Sequence, residues 1–371
     1  MSSGFGQAIR REFLLDPSVT YLNHGAFGAI PRVVSEAQLA FRREVEANPT
    51  LFYGRIEDRL EGVLEQIGPF VGADPGQCVF VDNATYGVNS VLSGLDLRAG
   101  DELICTTHVY PGVRGALAAT IQRVPGVRVV EVPVYPNDPA AALSEAITPR
   151  TRLAVLDHIT SGTALVLPLA QMIEACHDAD VPVLVDGAHV PGQLQVDVTA
   201  LGAEYYTGNL HKWAFAPRPC AFLHSTQPLR PLVGSINRSV DWRRDFHWPG
   251  THDASAWLAS VYGLAFLRQL GLTDVRAHNN TLCRQAGRLV AEALGTELPT
   301  RESMHAAMTV VELPSRLGTT ADDMLALRER LRADHQIEVA GFGHEGRLFL
   351  RLSTQVYNEV EDYERLAEVL R

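Results

Sequence analysis

The stretch VPVLVDGAHVPGQLQVDVTALGAEYYTGNLHKWAFAPRPCAFLH, residues 181–224, holds the chain's one lysine, Lys212, among 32 basic residues of which the rest are arginine. It opens on an apolar, valine-rich run that stops at an acid, Asp186. A strand that is apolar without alternation is buried on both faces, as in a parallel sheet covered by helices. In open α/β sheets, ligands gather at the carboxyl ends of such strands. A carboxylate placed there needs a partner to survive burial; taken alone, it is also a helix N-cap. Lys212 follows, flanked by Asn209, His211 and Trp213. A lysine amine condenses with an aldehyde to form a Schiff base, which an arginine, always cationic, cannot do. A lysine left over from drift toward arginine belongs on a surface loop or helix face, because lysine is seldom buried. Its position behind an aromatic, glycine-containing core segment points instead to an amine with a task.

Working outward, apolar β-rich runs recur at 102–109 (ELICTTHV), 127–134 (VRVVEVPV) and 152–159 (RLAVLDHI), with helical segments between them. Two helix-like stretches, 33–48 and 54–67, come earlier, with apolar spacings of three and four. The pattern predicts an α/β fold: a short arm (1–20) and a large domain (21–255) with a mainly parallel sheet. At 226–255 periodicity lapses into a long irregular stretch rich in Arg, His, Trp, Gly and Pro, which is often functional. From 256 onward the reading is a long helical region, a strand at 308–314, a helix at 321–334, two strands and a closing helix, a smaller α+β domain (256–371).

The formal charge of −11 argues against nucleic acid as a partner, since that needs a clustered basic excess. No run of about 18 apolar residues suits a membrane span, and the polar opening MSSGFGQAIRREFLLDPS reads as that of a cytoplasmic protein. The five cysteines lie far apart in sequence, so no CxxC pair suggests zinc or redox chemistry. His247, His252 and Asp253 cluster in sequence, but no third ligand at helical spacing joins them, and no metal is expected. Gly341-Phe342-Gly343-His344-Glu345-Gly346 fits G-x-G-x-x-G, the dinucleotide fingerprint. That fingerprint must lead from a strand into a helix. Here it lies between two strand-like runs and reads as a hairpin turn. Without repeats or low-complexity tracts, an enzyme is favoured over a scaffold.

The motif D-G-A-H at 186–189 followed by Y-Y-T-G-N-L-H-K-W at 205–213 resembles the pyridoxal phosphate (PLP) signature of class V aminotransferases, which are fold-type I enzymes. L-N-H-G-A-F-G at 22–28 makes the chain most similar to the isopenicillin N epimerase-like branch. The resemblance implies that Lys212 binds PLP as a Schiff base and then serves as acid and base at the substrate α-carbon. It implies that Asp186 faces the pyridine nitrogen, where an ion pair at about 4 Å is worth about 4 kcal/mol at an effective dielectric of 20. His189 is implied near the phenolic oxygen or ring face, where the desulfurase branch usually has glutamine, and His108 as the residue stacked on the ring.

Asn83, Ala84 and Thr85, at the start of a helical run after CVFVD, are implied to cradle the phosphate, with Asn209 and His211 adding contacts. Gly250 and Thr251 are implied to complete the phosphate site of a neighbouring subunit, which makes the protein a homodimer. RLFLRLS (347–353) alternates, placing Arg347, Phe349, Arg351 and Ser353 on one face and leucines on the other. Arg351 matches the family arginine that grips the substrate carboxylate. Asn23, His24 and Gly25, with Phe52 and Tyr53, are candidate substrate-pocket residues, although Phe52 and Tyr53 equally suit helix packing.

The expected substrate is an amino acid or a molecule with a free amino-acid head. The preferred reaction is β-elimination on a cysteine-derived conjugate in specialised metabolism, a C–S lyase; an epimerase comes next, then a decarboxylating deaminase or aminotransferase. A desulfurase is disfavoured, because it needs a mobile late cysteine and none follows Cys283.

Overall fold

A computed structural model of the chain describes residues 4–134, 138–234, 241–344 and 346–371. Seven strands form the main sheet: β1 (Cys78–Val81), β2 (Glu102–Thr106), β3 (Arg128–Val132), β4 (Thr151–Asp157), β5 (Val183–Asp186), β6 (Tyr205–Asn209) and β7 (Ala221–Ser225). Their spatial order is β1-β7-β6-β5-β4-β2-β3. Every pair from β6 to β3 is parallel, while β7 runs antiparallel to both β6 and β1. The sheet is therefore mainly parallel, with one reversed strand next to the edge.

Successive residues of each strand feed opposite faces. Val79, Leu103, Val155 and Leu184 belong to one core, which helices α3 (Ala84–Gly94) and Pro111–Arg123 cover. Phe80, Ile104, Leu156, Val183 and Val185 belong to the other, under α2 (Ile56–Val71) and α4 (Ser255–Leu270). Burial on both faces is why these strands read as unbroken apolar runs. The strand ends come earlier than the apolar runs suggest, because acids and hydroxyls at Thr106, Asp157 and Asp186 mark where the chain leaves the core. The helix-like stretches at 33–48 and 54–67 are α1 (Arg32–Ala47) and α2, with a short helix, Pro49–Tyr53, between them.

Beyond α4 comes α5 (Leu272–Leu294), then a three-stranded antiparallel sheet of β8 (Met308–Leu313), β9 (Ala340–His344) and β10 (Arg347–Ser353), in the order β9-β10-β8. Helices α6 (Ala321–His335) and α7 (Val360–Leu370) complete this part. Leu348, Leu350 and Leu352 enter its core with α5 and α7, leaving Arg347, Phe349, Arg351 and Ser353 on the opposite face, as the alternation predicts. The glycine-rich 341–346 segment joins two antiparallel strands and Gly346 has φ 73°, a left-handed turn geometry that glycine tolerates best. A helix N-terminus, which a dinucleotide site requires, does not follow it; Glu345 lies outside the described residues. The arm is tied to the C-terminal part: Thr20–Tyr21 pairs in parallel with Ile337–Glu338, and Gly6 N–H donates to the Val356 carbonyl at 2.6 Å.

Candidate active site

The carboxyl ends of β4, β5 and β6 converge with the N-terminus of α3 on a cavity of about 410 Å³, lined among others by Asn83, Ala84, Thr85, Asp186, His189, Asn209, His211 and Lys212. Each arrives for a local reason. Asp186 ends β5, and its Oδ1 accepts from the Ala188 N–H at 2.9 Å; it caps a turn, not a helix. Lys212 follows β6, and its backbone is held by His24, whose Nε2–H donates to the Lys212 carbonyl at 3.1 Å. The other ring nitrogen of His24 accepts from the Tyr357 hydroxyl at 2.8 Å and from the Ala29 N–H at 3.2 Å. That pattern requires a neutral ring, and burial takes the His24 pKa down to about 3.

Lys212 is open only partly, toward the cavity. Burial of its amine, reinforced by the positive charge of Arg351 and opposed by Asp186, brings its pKa down to about 7. A substantial fraction is thus the free amine at neutral pH, the form that attacks a carbonyl. Lys212 Nζ sits 3.1 Å from His189 Nε2. Burial, followed by the charge of Lys212, keeps His189 neutral by pushing its pKa well below the ordinary histidine value. Asp186 is pushed the other way, upward, by burial, and the Ala188 N–H and Lys212 offset this in part.

At the opposite end of the cavity, Asn83 caps α3 by accepting from the Tyr86 N–H at 2.9 Å, and Asn209 Oδ1 accepts from the Ala84 N–H at 2.8 Å. This ties β6 to the helix start. His211 Nδ1–H donates to the Cys220 carbonyl at 2.7 Å. Helix-terminal N–H groups and the Thr85 hydroxyl suit an anion such as a phosphate. The donor set fits PLP: an amine of lowered pKa, a buried carboxylate and a helix N-terminus line one cavity. His189 Nδ1 is a further buried polar atom without a partner among the described residues.

Arg351 reaches this region from β10. It is 6 % exposed, its Nη1 donates to the Ser161 carbonyl at 2.6 Å and its Nη2 to Asn23 Oδ1 at 3.5 Å, and its Nε is buried without a partner among the described residues. A buried guanidinium with spare donor capacity fits a carboxylate ligand. Gly25 makes room beside it: a Cβ there would lie 2.5 Å from Met308 Sδ and 3.5 Å from Arg351 Nη2.

Other expected positions fall elsewhere. His108 is not in the wall of the Lys212 cavity; its Nδ1 lies 2.7 Å from the Thr163 hydroxyl, and it lines an adjoining cleft with Phe342, Arg347 and Phe349. Phe52 is buried against Tyr53 and under the Arg59 guanidinium, 4.8 Å from its ring. Tyr53 donates to the His252 carbonyl at 3.0 Å. Both take the packing role within this chain. Gly250 and Thr251 follow the helix Trp242–His247 and do not line this cavity, with Thr251 exposed. His247, by contrast, is buried with Nδ1 3.5 Å from Glu61 Oε1. Sequence reasoning missed Asp157, Tyr110 and Ser161, which also line the cavity. The signal for Asp157 was present: RLAVLD ends on an acid just as VPVLVD does.

Residues 20–366 match the family model for aminotransferase class-V. The chain belongs to this family. It is a PLP-dependent enzyme of the fold-type I class. Isopenicillin N epimerase of Streptomyces clavuligerus is 32% identical over 97% of this chain and 96% of its own length. Putative L-cysteine desulfhydrase 1 of Oryza sativa subsp. japonica is also 32% identical, over 98% of this chain and 85% of its own. Among solved structures, the complex of the cystine C-S lyase C-DES with its reaction product cysteine persulfide superimposes with a TM-score of 0.83 at 24% identity, covering 95% of this chain and 97% of that one. That likeness concerns the fold. Among the described residues no helix is long and apolar enough to cross a membrane.

Proposed function

We propose that the protein is a C–S β-lyase acting on a cysteine-derived conjugate with a free amino-acid head. The observation that carries this reading is the Lys212 amine, its pKa lowered to about 7, facing Asp186 and within hydrogen-bond distance of His189. The L-cysteine desulfhydrase name among its relatives favours elimination. PLP, when bound, withdraws electrons from the substrate α-carbon and so makes its proton labile.

The rest is assigned to the chain's own residues. Arg351 binds and orients the α-carboxylate, with Asn23 holding the guanidinium. Asp186 holds a proton at the pyridine nitrogen. Asn83, Ala84, Thr85, Asn209 and His211 hold the phosphate, and His189 fixes the amine of Lys212. Lys212 anchors the cofactor and, once displaced by the substrate amine, accepts the proton from Cα, an exchange whose efficiency is greatest when the pKa is near the working pH. Breaking Cα–H and Cβ–S releases a thiol, with pyruvate and ammonia formed after uptake of one water. All five cysteines are buried, and burial pushes Cys283 up to about 12, so none supplies the exposed thiolate that sulfur transfer requires.

We also infer a homodimer in which Gly250 and Thr251 of one protomer serve the phosphate site of its partner. Their absence from the lining of the chain's own cavity and the exposure of Thr251 support this, and sedimentation of the full chain tests it.

Incubation of the holoenzyme in D₂O with amino acids and S-substituted cysteines decides the reaction. Equimolar thiol and pyruvate are expected. Deuterium at Cα of recovered, racemised substrate without thiol would instead establish the epimerase that the Streptomyces relative suggests, and release of carbon dioxide would overturn both.

A further inference from the structure

Asp157 closes β4 as Asp186 closes β5, and the two are register partners on neighbouring parallel strands. Register partners in a parallel pair project to the same face. Both carboxyls line the Lys212 cavity, and Asp157 is 2 % and Asp186 5 % exposed. Two carboxylates side by side in a buried site do not both ionise, because neither water nor a second cation compensates the repulsion.

The surroundings decide which one keeps the charge. Asp186 has the Ala188 N–H and faces Lys212. Around Asp157 stand the Thr106 hydroxyl, 3.2 Å from Oδ2, the Tyr110 N–H and Asp186 itself. From β2 it also meets Cys105, neutral because burial pushes its thiol up to about 12. Behind Asp186 stands Tyr206, whose phenol burial keeps protonated. Among the described residues, no cation offsets the burial of Asp157. Burial, and then the charge of Asp186, push its pKa well above the usual carboxylate range.

We propose that Asp157 is a positioning residue that stays a neutral acid at working pH, so that the pair presents one negative charge, on Asp186, to the pyridine nitrogen. This arrangement matches one carboxylate to one ring proton. A second buried charge would over-stabilise the pyridinium and raise the pH at which the ring nitrogen loses its proton. The inference rests on the cofactor assignment but not on which substrate bond breaks, so product analysis and the test below fail independently.

The test compares Asp157→Asn and Asp157→Leu with the parent holoenzyme by pH titration of the visible absorption band. Asparagine is neutral, nearly isosteric and able to donate, so the titration midpoint is expected to stay within about 0.3 pH unit of the parent. Leucine removes the polar group beside Asp186, and a shift of about one unit or more is expected. A shift of a unit or more in Asp157→Asn would show that Asp157 is charged and would overturn the proposal. An unshifted Asp157→Leu would overturn the positioning role.

A second readout uses the full chain freed of PLP. An acid whose folded pKa lies above its unfolded one loses stability as pH rises toward the folded value, and asparagine escapes that loss. Asp157→Asn is therefore expected to raise the thermal midpoint relative to the parent by a few °C, by more at neutral pH than near pH 5. A midpoint lowered at neutral pH would contradict a neutral Asp157.

Discussion

Lys212 Nζ and His189 Nε2 stand 3.1 Å apart, so the chain's only side-chain amine is aimed by a neutral imidazole from the turn that follows Asp186. Reductive trapping of the holoenzyme with borohydride should place all of the PLP on the peptide containing Lys212, as read by mass spectrometry. Lys212→Ala should lower turnover by about 10³-fold or more, in the range expected when a group serves as both nucleophile and base. Label on any other side chain would sink the assignment.

Because burial brings Lys212 down to about 7, reconstitution should depend on pH. Below that value the amine is protonated and does not attack the aldehyde. The association rate of PLP with the full chain freed of it should climb as pH rises through about 7 and level off above it, followed by absorbance in stopped flow. A rate still climbing with unchanged slope toward the ordinary lysine pKa of about 10.4 would show an amine that burial does not perturb.

Arg351 uses geometry as well as charge. Arg351→Lys keeps the cation but loses the planar fork, and should cost about 1.5–3 kcal/mol of carboxylate binding, seen mainly as a raised KM. An unchanged KM in steady-state kinetics would remove Arg351 from the substrate site.

Gly187 packs directly on a neighbouring strand: a Cβ there would overlap the Tyr206 ring and hydroxyl. Tyr206 cannot easily retreat, since its hydroxyl lies 3.0 Å from His158 Nδ1 and its ring stacks on Phe222. Gly187→Ala should therefore destabilise the protein by about 1–3 kcal/mol, measured by denaturant unfolding, and loosen PLP by moving Asp186. Parent-like stability would show that the strand pair yields more readily than its packing suggests.

Much of the site was legible because its parts are local. Asp186 and Lys212 stand out from VPVLVD and from a composition with one lysine, and Asn83 is an N-cap readable from CVFVDNAT. Arg351 and its leucine neighbours follow from strict alternation, a consequence of the two-residue period of a strand. The sequence left Phe52 and Tyr53 open to a pocket or a packing role; in the fold Phe52 lies under the Arg59 guanidinium and Tyr53 donates to the carbonyl of His252, far along the chain. His24 was expected at the substrate and instead holds the Lys212 backbone from 188 residues away.

By itself the sequence determined the class of chemistry, because the motifs at 186–189 and 205–213, which carry Asp186 and the one lysine, resemble the class V signature. It also determined a mainly parallel sheet, because continuous apolar runs need cover on both faces. Only the tertiary structure decided that Asp157 stands beside Asp186 and that His189 meets Lys212. Strand order and register, which bring ends of separate strands to one cavity, arise from packing across the whole sheet and leave no local mark. The state of each acid and base there follows from the burial and neighbours that this assembly creates.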